Sequence, residues 1–475
     1  MESIWSKTCK LEQRPALRGQ IQTEAVVIGA GMAGILTAYQ LERAGIRTVV
    51  LEAGRIGGGQ TKNTTAKITS QHGLFCHKFI EKKGKTIAGM YVRANQSAVE
   101  EYKRLIQEEK IECDFEETSS YVYSKDERKL KEEAEAAEEL GVLASYAKHI
   151  EIPVDCAGAV RFEHQAQFHP LKFISALADK LTVYENTRVQ KAENNMVITD
   201  SGTVKADKII FATHYPFVNF PGMYFLRMHQ QRSYVLAVEN GQKLEGMYIG
   251  DGPDSLSFRQ YGQYTLIGGG SHRTGDNKAG GKYAALRRAA NGFYPQNREA
   301  ACWSAQDCIT GDSIPFIGRY SSSRPNWFVA SGFKKWEMTS SMVSAMILRD
   351  IICGAENSYA NVFSPARFSA AELLQIIKDG GKSVSGLAKR FFHIPRDTVN
   401  TLRPDHGSVV RADGKKAGVY KSWENKVYKV DNVCSHLGCQ LEWNPDEKTW
   451  DCPCHGSCFD HNGKLKEGPA QQEIS

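Results

Sequence analysis

Apolar positions first gather at residues 24–28 (EAVVI), a run of strand length, followed by a glycine turn. Residues 32–43 then carry apolar side chains at helical spacing and stop at Gly45. A second apolar run, 47–51 (RTVVL), completes a strand–helix–strand unit, and the polar, glycine-rich stretch 54–65 predicts a loop. Residues 79–140 read as helix-rich, and the charged segment 124–140 predicts a solvated helix face. Strands are predicted at 182–184, 196–199, 209–212, 234–238 and 264–267, and a strand–turn–helix at 327–352. The texture changes near residue 383: a basic patch at Lys389 and Arg390, isolated Pro395 and Pro404, then short strands at 409–410, 418–420 and 426–430. The pattern predicts an α/β unit over 1–380, a linker at 381–395 and a small all-β domain at 396–475.

Composition narrows the classes. The chain has 475 residues, ample for more than one core. Sixty basic against 54 acidic residues give a net charge of +6, too diffuse for a nucleic-acid face. No run approaches a membrane span, and the N-terminus lacks the apolar core of a secretory signal, so a cytoplasmic protein is expected. Of the twelve cysteines, Cys9, Cys76, Cys113, Cys156, Cys302, Cys308 and Cys353 are scattered, as free thiols are. The other five lie between Cys434 and Cys458, interleaved with His436 and His455, and predict a metal site.

Two motifs carry chemistry. Gly29-Ala30-Gly31-Met32-Ala33-Gly34 is a G-x-G-x-x-G between a strand and a helix, and Glu52 ends the next strand eighteen residues past Gly34. The glycines allow a tight turn and close approach of backbone to a pyrophosphate at the helix N-terminus; the carboxylate suits ribose hydroxyls and argues against a 2′-phosphate. This predicts a dinucleotide site. At the other end, Cys434-Ser435-His436 and Cys452-Pro453-Cys454-His455 are separated by fifteen residues. Two loops, each offering a thiolate and an imidazole, match a Rieske-type [2Fe–2S] centre with ligands Cys434, His436, Cys452 and His455. Zinc sites of Cys₂His₂ type usually order their ligands as two cysteines and then two histidines, which this segment does not.

The continuation of the first motif resembles the D-amino-acid-oxidase-like family of FAD-dependent oxidoreductases. Residues 55–61 (RIGGGQT) with 63–67 (NTTAK) resemble its flavin-proximal loop; residues 209–214 (IIFATH), 310–318 (TGDSIPFIG), 329–333 and Met338-Thr339 resemble its other FAD-binding segments. The resemblance spans about 20–365. It implies a two-lobed FAD-binding fold with an antiparallel substrate sheet roofing the flavin. It implies FAD contacts at Ala53, Gly59, Thr61, Thr65, Val189, Ala212, Thr213, Asp312, Gly332, Met338 and Thr339, beside those of the glycine turn. One departure stands out: the family usually has glycine before the Met-Thr pair, where this chain has Glu337. A charged side chain there either points away or changes the flavin's surroundings, and puts in question the flavin contacts at Lys335, Trp336 and Glu337. Arg232, Tyr234, Arg259, His272 and Arg273 are candidates for orienting substrate; each has an alternative reading as a surface or structural residue, as does His72.

Residues 434–439 (CSHLGC) and 452–457 (CPCHGS) resemble the cluster loops of the Rieske protein of cytochrome bc complexes, over about 396–475. That resemblance implies a disulfide between Cys439 and Cys454. Cys458 is expected as a small core residue, and Trp423, Tyr428, Trp443 and Trp450 as core of the small domain. Together the resemblances imply an enzyme that oxidises a small organic substrate, best guessed as an amine or amino acid at a C–N bond. It would pass electrons singly through the cluster to, or receive them from, an unidentified partner. The alternatives are a peroxide-forming oxidase with an accessory cluster, or an electron-transfer or reductase component without its own turnover. No cysteine or histidine stands out as an attachment point, so non-covalent FAD is expected.

Overall fold

The computed structural model describes residues 1–367, 390, 395, 398–412 and 415–474; the expected linker at 381–395 falls, apart from Arg390 and Pro395, outside the described residues. Two large sheets build the first unit. In one, Gly19–Ile28 lies between Thr48–Leu51 and Gly202–Phe211, all three parallel, with Arg324–Ser331 and Thr182–Tyr184 beyond them. Helix Met32–Arg43 covers it and packs on helix Glu337–Cys353. Residues 25–28 and 48–51 are buried, which is why they read as continuous apolar runs. The second sheet is mostly antiparallel. Its first three strands in order are Arg298–Thr310, Met228–Glu239 and Tyr264–Arg273, and the order ends at Lys67–Ile68.

Several elements differ from expectation. The strand read at 24–28 begins at Gly19, because residues 19–23 pair with 202–206 although their side chains are largely exposed or polar. The helix-rich reading of 79–140 misses a strand, Glu116–Ser124, between helices Lys85–Glu109 and Glu127–Glu139. That strand is held by pairing with Gly158–Gln167 and Gly246–Gly250, distant in sequence. The charged segment is a helix, but Glu133 is not solvated: it is 2% exposed, and its carboxylate accepts the N–H groups of Phe75, Cys76 and His77 at the start of helix Cys76–Lys83.

The small domain has two antiparallel sheets. One is His406–Ala412, Lys415–Lys421 and Val427–Val430; the other is Glu442–Asn444, Thr449–Asp451, Cys458–Asp460 and Leu465–Glu467. Trp443 and Trp450 fill its core with Tyr420, and Cys458 is buried there. Trp423 is the exception to the expected core: it lies in the turn before Val427–Val430 and is 71% exposed.

Candidate flavin and iron–sulfur sites

The glycine turn sits where three parallel strands end. Gly29 has φ +106°, and a Cβ there would lie 2.5 Å from the Ala212 carbonyl oxygen. A Cβ on Gly34 would lie 1.8 Å from the Gly29 carbonyl oxygen, so this glycine lets helix and turn pack. Gly31 begins helix Met32–Arg43. The Glu52 carboxylate accepts the N–H groups of Ala30 (2.8 Å) and Gly54 (2.7 Å); burial pushes this carboxyl up, and the two N–H donors oppose that. A cleft of about 490 Å³ opens here, lined by Gly29, Gly31, Met32, Ala33, Glu52, Ala53, Gly59, Thr61, Val189, Ala212 and Thr213. Thr65 and Met338 line a smaller adjoining cavity instead. Asp312, Gly332 and Thr339 line neither. Asp312 is paired with Arg367 (3.0 Å), Gly332 is pressed against Thr310, and the Thr339 hydroxyl donates to the Thr69 carbonyl.

The adjoining cavity, about 130 Å³, follows from strand alternation. Side chains on Met228–Glu239 and Arg298–Thr310 point alternately to opposite faces. Ser233, Val235, Ala305 and Asp307 line this cavity, and Gln230, Arg232, Ser304 and Gln306 hydrogen-bond on the other face. Burial pushes Asp307 up to about 7 and Glu337 up to about 8, and Asp307 adds to the rise at Glu337. Lys335 donates to Ser271 Oγ at 2.8 Å and is pulled down by burial. Glu337 opens helix Glu337–Cys353, a favourable place for an acid at the positive end of the dipole. Its side chain does not point away: Glu337 and Gln60 line both the cleft and the cavity. His72 stacks on Trp336 (4.8 Å, 7°) and contacts Tyr91, Thr69 and Thr339; burial pulls it down to about 3, so the neutral ring is a support for this turn.

The arginines proposed to orient substrate are spent on the protein itself. Arg259 donates to the carbonyl oxygens of Thr65, Ala66 and Phe168 and lies over Trp5. Arg232 donates to Ser304 Oγ (2.9 Å), Gln306 Oε1 (2.9 Å) and Glu467 Oε2 (3.2 Å), with Asp451 Oδ2 at 3.8 Å from its Nε. Tyr234 and His272 contact each other (3.1 Å), and the Tyr234 hydroxyl also meets Asn277 and Asn444. Arg273 donates to the Cys454 carbonyl. Arg232, Tyr234 and Arg273 therefore join the first unit to the small domain, a role that depends on a docking no local pattern encodes, whereas His272 braces Tyr234 from within the first unit.

The two cysteine–histidine loops have the same backbone design. In the first, Cys434 N–H donates to Cys439 O and Gly438 N–H to Cys434 O; in the second, Cys452 N–H donates to Ser457 O and Gly456 N–H to Cys452 O. Gly438 and Gly456 take φ +78° and +81° to close them. The design brings Cys434 and Cys452 into thiol contact, which holds the Cys434 thiol down. The rings of His436 and His455 meet at 5.0 Å and 87°. His436 Nδ1 is buried without a hydrogen bond, while its Nε2 lies 2.8 Å from Asn219 Oδ1 of the first unit. Two thiols, with an imidazole nitrogen free of any other bond, fit a [2Fe–2S] cluster. Cys439 and Cys454 are joined as a disulfide flanking Cys452.

A buried amide chain, for which the sequence carries no signal, links the two sites. Gln60 Oε1 accepts the Gln306 N–H (2.7 Å). Gln306 Nε2 donates to Gln230 Oε1 (2.6 Å) and Gly456 O (2.8 Å), and Gln230 Nε2 donates to His455 O (2.6 Å).

Residues 24–351 match the model of the FAD dependent oxidoreductase family, more than half of the chain. The chain belongs to that family. Residues 394–475 of this oxidoreductase match the Rieske [2Fe-2S] domain. A protein of Bacillus subtilis (strain 168) named as a Rieske 2Fe-2S iron-sulfur protein, YhfW, is 37% identical over 99% of this chain and 96% of its own length. The chloroplastic cytochrome b6-f complex iron-sulfur subunit of Fritillaria agrestis is 28% identical over 40% of this chain and 75% of its own. The fold of the first unit is shared with glycine oxidase from Geobacillus kaustophilus (TM-score 0.63, 18% identity, 74% of this chain and all of that one). L-proline dehydrogenase from P. horikoshii shares it equally (TM-score 0.63, 20% identity, 74% and 98%). The oxidoreductase thus binds FAD and a [2Fe–2S] cluster. Among the described residues no helix is long and apolar enough to cross a membrane.

Proposed function

We propose that this oxidoreductase oxidises a small amine or amino acid at a C–N bond and passes the electrons singly through its cluster to a separate acceptor. The observation that carries the reading is the amide chain Gln60–Gln306–Gln230, running from the wall of the flavin cleft to the backbone of cluster ligand His455. When bound, FAD supplies a hydride acceptor and the cluster a one-electron carrier. The C–N reading rests on the fold shared with proteins named glycine oxidase and L-proline dehydrogenase.

This chain's residues divide the work. The glycine turn and Glu52 hold the nucleotide. Asp307, pushed up to about 7 beside the cleft, pairs as a carboxylate with a substrate ammonium and accepts its proton, while Glu337, pushed up to about 8, stays protonated beside it near neutrality. Because Arg232 and Arg259 are committed elsewhere, the acids favour the amine end of a substrate over a carboxylate. Cys434, Cys452, His436 and His455 hold the cluster, and Asn219 orients the His436 ring. We place the protein in the cytoplasm, with its units at 1–380 and 396–475. The test is a panel of amines and amino acids mixed anaerobically with oxidised holoprotein. At least one should bleach the flavin absorption. If none does while dithionite reduces both centres, the substrate reading fails; stoichiometric peroxide with the cluster idle would favour a plain oxidase.

A further inference from the structure

We infer that residues 465–471 of the cluster domain form part of the flavin-binding site, so that flavin retention and docking of that domain are one coupled equilibrium. The cleft is not built by the first unit alone: one side carries the glycine turn and Glu52, and residues 465–471 line it from the small domain. This segment is anchored at both ends of the contact. On the flavin side, the Glu467 carboxylate accepts Arg232 Nη2 (3.2 Å) and Gln60 Nε2 (3.1 Å), and the Gly468 carbonyl accepts Gln230 Nε2 (3.2 Å). On the cluster side, the Ala470 N–H donates to Ser457 Oγ (3.0 Å) and Ser435 Oγ donates to the Gln472 carbonyl (2.6 Å), one bond to each cluster loop.

A ligand that touches two units binds tightly only when both are in place. By linkage, the ligand must in return stabilise their contact by the same factor. The segment is therefore a wall of the flavin site whose position is set by the cluster loops. Flavin leaves when the small domain lifts.

The full-length holoprotein tests this in two ways. Hydrogen exchange of amides 465–472 is compared between FAD-bound and FAD-stripped protein, both with cluster. Protection on FAD binding is expected, by about ten-fold or more, within the usual range of coupling between sites. Second, Glu467→Ala should release FAD about ten-fold faster than wild type, followed by recovery of flavin fluorescence on dilution, with the cluster spectrum unchanged. If exchange in the segment is insensitive to FAD, the inference is overturned. If Glu467→Ala does not accumulate folded, the exchange comparison on the unaltered protein decides alone.

Discussion

Replacing Arg232 by methionine should be among the most destabilising single changes in the molecule. The guanidinium is 2% exposed and its counter-ion Asp451 is fully buried. Three hydrogen bonds from a charged donor are lost, to Ser304, Gln306 and Glu467. At about 1.5–3 kcal/mol each these would sum to more than 4 kcal/mol, but relief from desolvating the guanidinium offsets part of it. What remains is a buried Asp451 without its nearest cation, and removing one partner of a buried pair costs about 3–5 kcal/mol. Glu467 is 21% exposed, so solvent screens its share and Glu467→Gln should cost only about 1 kcal/mol. Urea unfolding followed by cluster absorption and tryptophan fluorescence reads this out. With a slope of about 3 kcal/mol per M or more for a chain of this length, the Arg232→Met midpoint should fall by about 1 M. A loss below about 1 kcal/mol would refute the reasoning that this contact is a buried, paired charge holding the two units together.

Three further outcomes follow from the geometry. Burial raises Glu337 from 4.5 to about 8 and Asp307 from 3.8 to about 7, so the folded protein holds more protons than the unfolded chain between these limits; stability should fall as pH rises from about 4 to 8. Melts across that range should show a shallower fall in Glu337→Gln, and an identical slope in both proteins would contradict it. Gly29→Ala places a Cβ 2.5 Å from the Ala212 carbonyl at a positive φ, so it should lower FAD occupancy of the purified protein severely; full occupancy by absorption ratio would show that the turn can yield. Glu133→Ala removes the acceptor for three N–H groups at the N-terminus of helix Cys76–Lys83, that of Phe75 before it and those of Cys76 and His77 within it, and should cost about 2–4 kcal/mol in the same urea assay, against near zero for exposed Glu135.

What could be read from sequence alone was what local chemistry dictates. Helix Met32–Arg43 and strands Thr182–Tyr184 and Met196–Thr199 have the predicted bounds, because spacing and flanking glycines or polar residues determine them within a few residues. The cysteine–histidine loops stood out because a cluster demands particular atoms at short spacing, and the disulfide follows the resemblance. Strand Glu116–Ser124 was missed because its partners lie far along the chain. Arg232 and Tyr234 could be seen as candidates for a ligand site, but whether they face a ligand or another unit depends on how two domains meet. Gln60, Gln230 and Gln306 carried no signal: a glutamine is ordinary in sequence, and only the pairing of Met228–Glu239 with Arg298–Thr310 sets the latter two side by side. Trp423 shows the converse, an aromatic residue whose burial was inferred from type while its turn leaves it in solvent.

In the function proposed above, flavin and cluster work as one electron path within a single chain. The direct measurement is rapid anaerobic mixing of dilute holoprotein with a reducing amine or amino acid, following flavin absorption and, by freeze-quench, the paramagnetic signal of the reduced cluster. Cluster reduction is expected to follow flavin bleaching at a rate independent of protein concentration. A cluster that stays oxidised beside a bleached flavin, or that is reduced at a rate proportional to protein concentration, would contradict it.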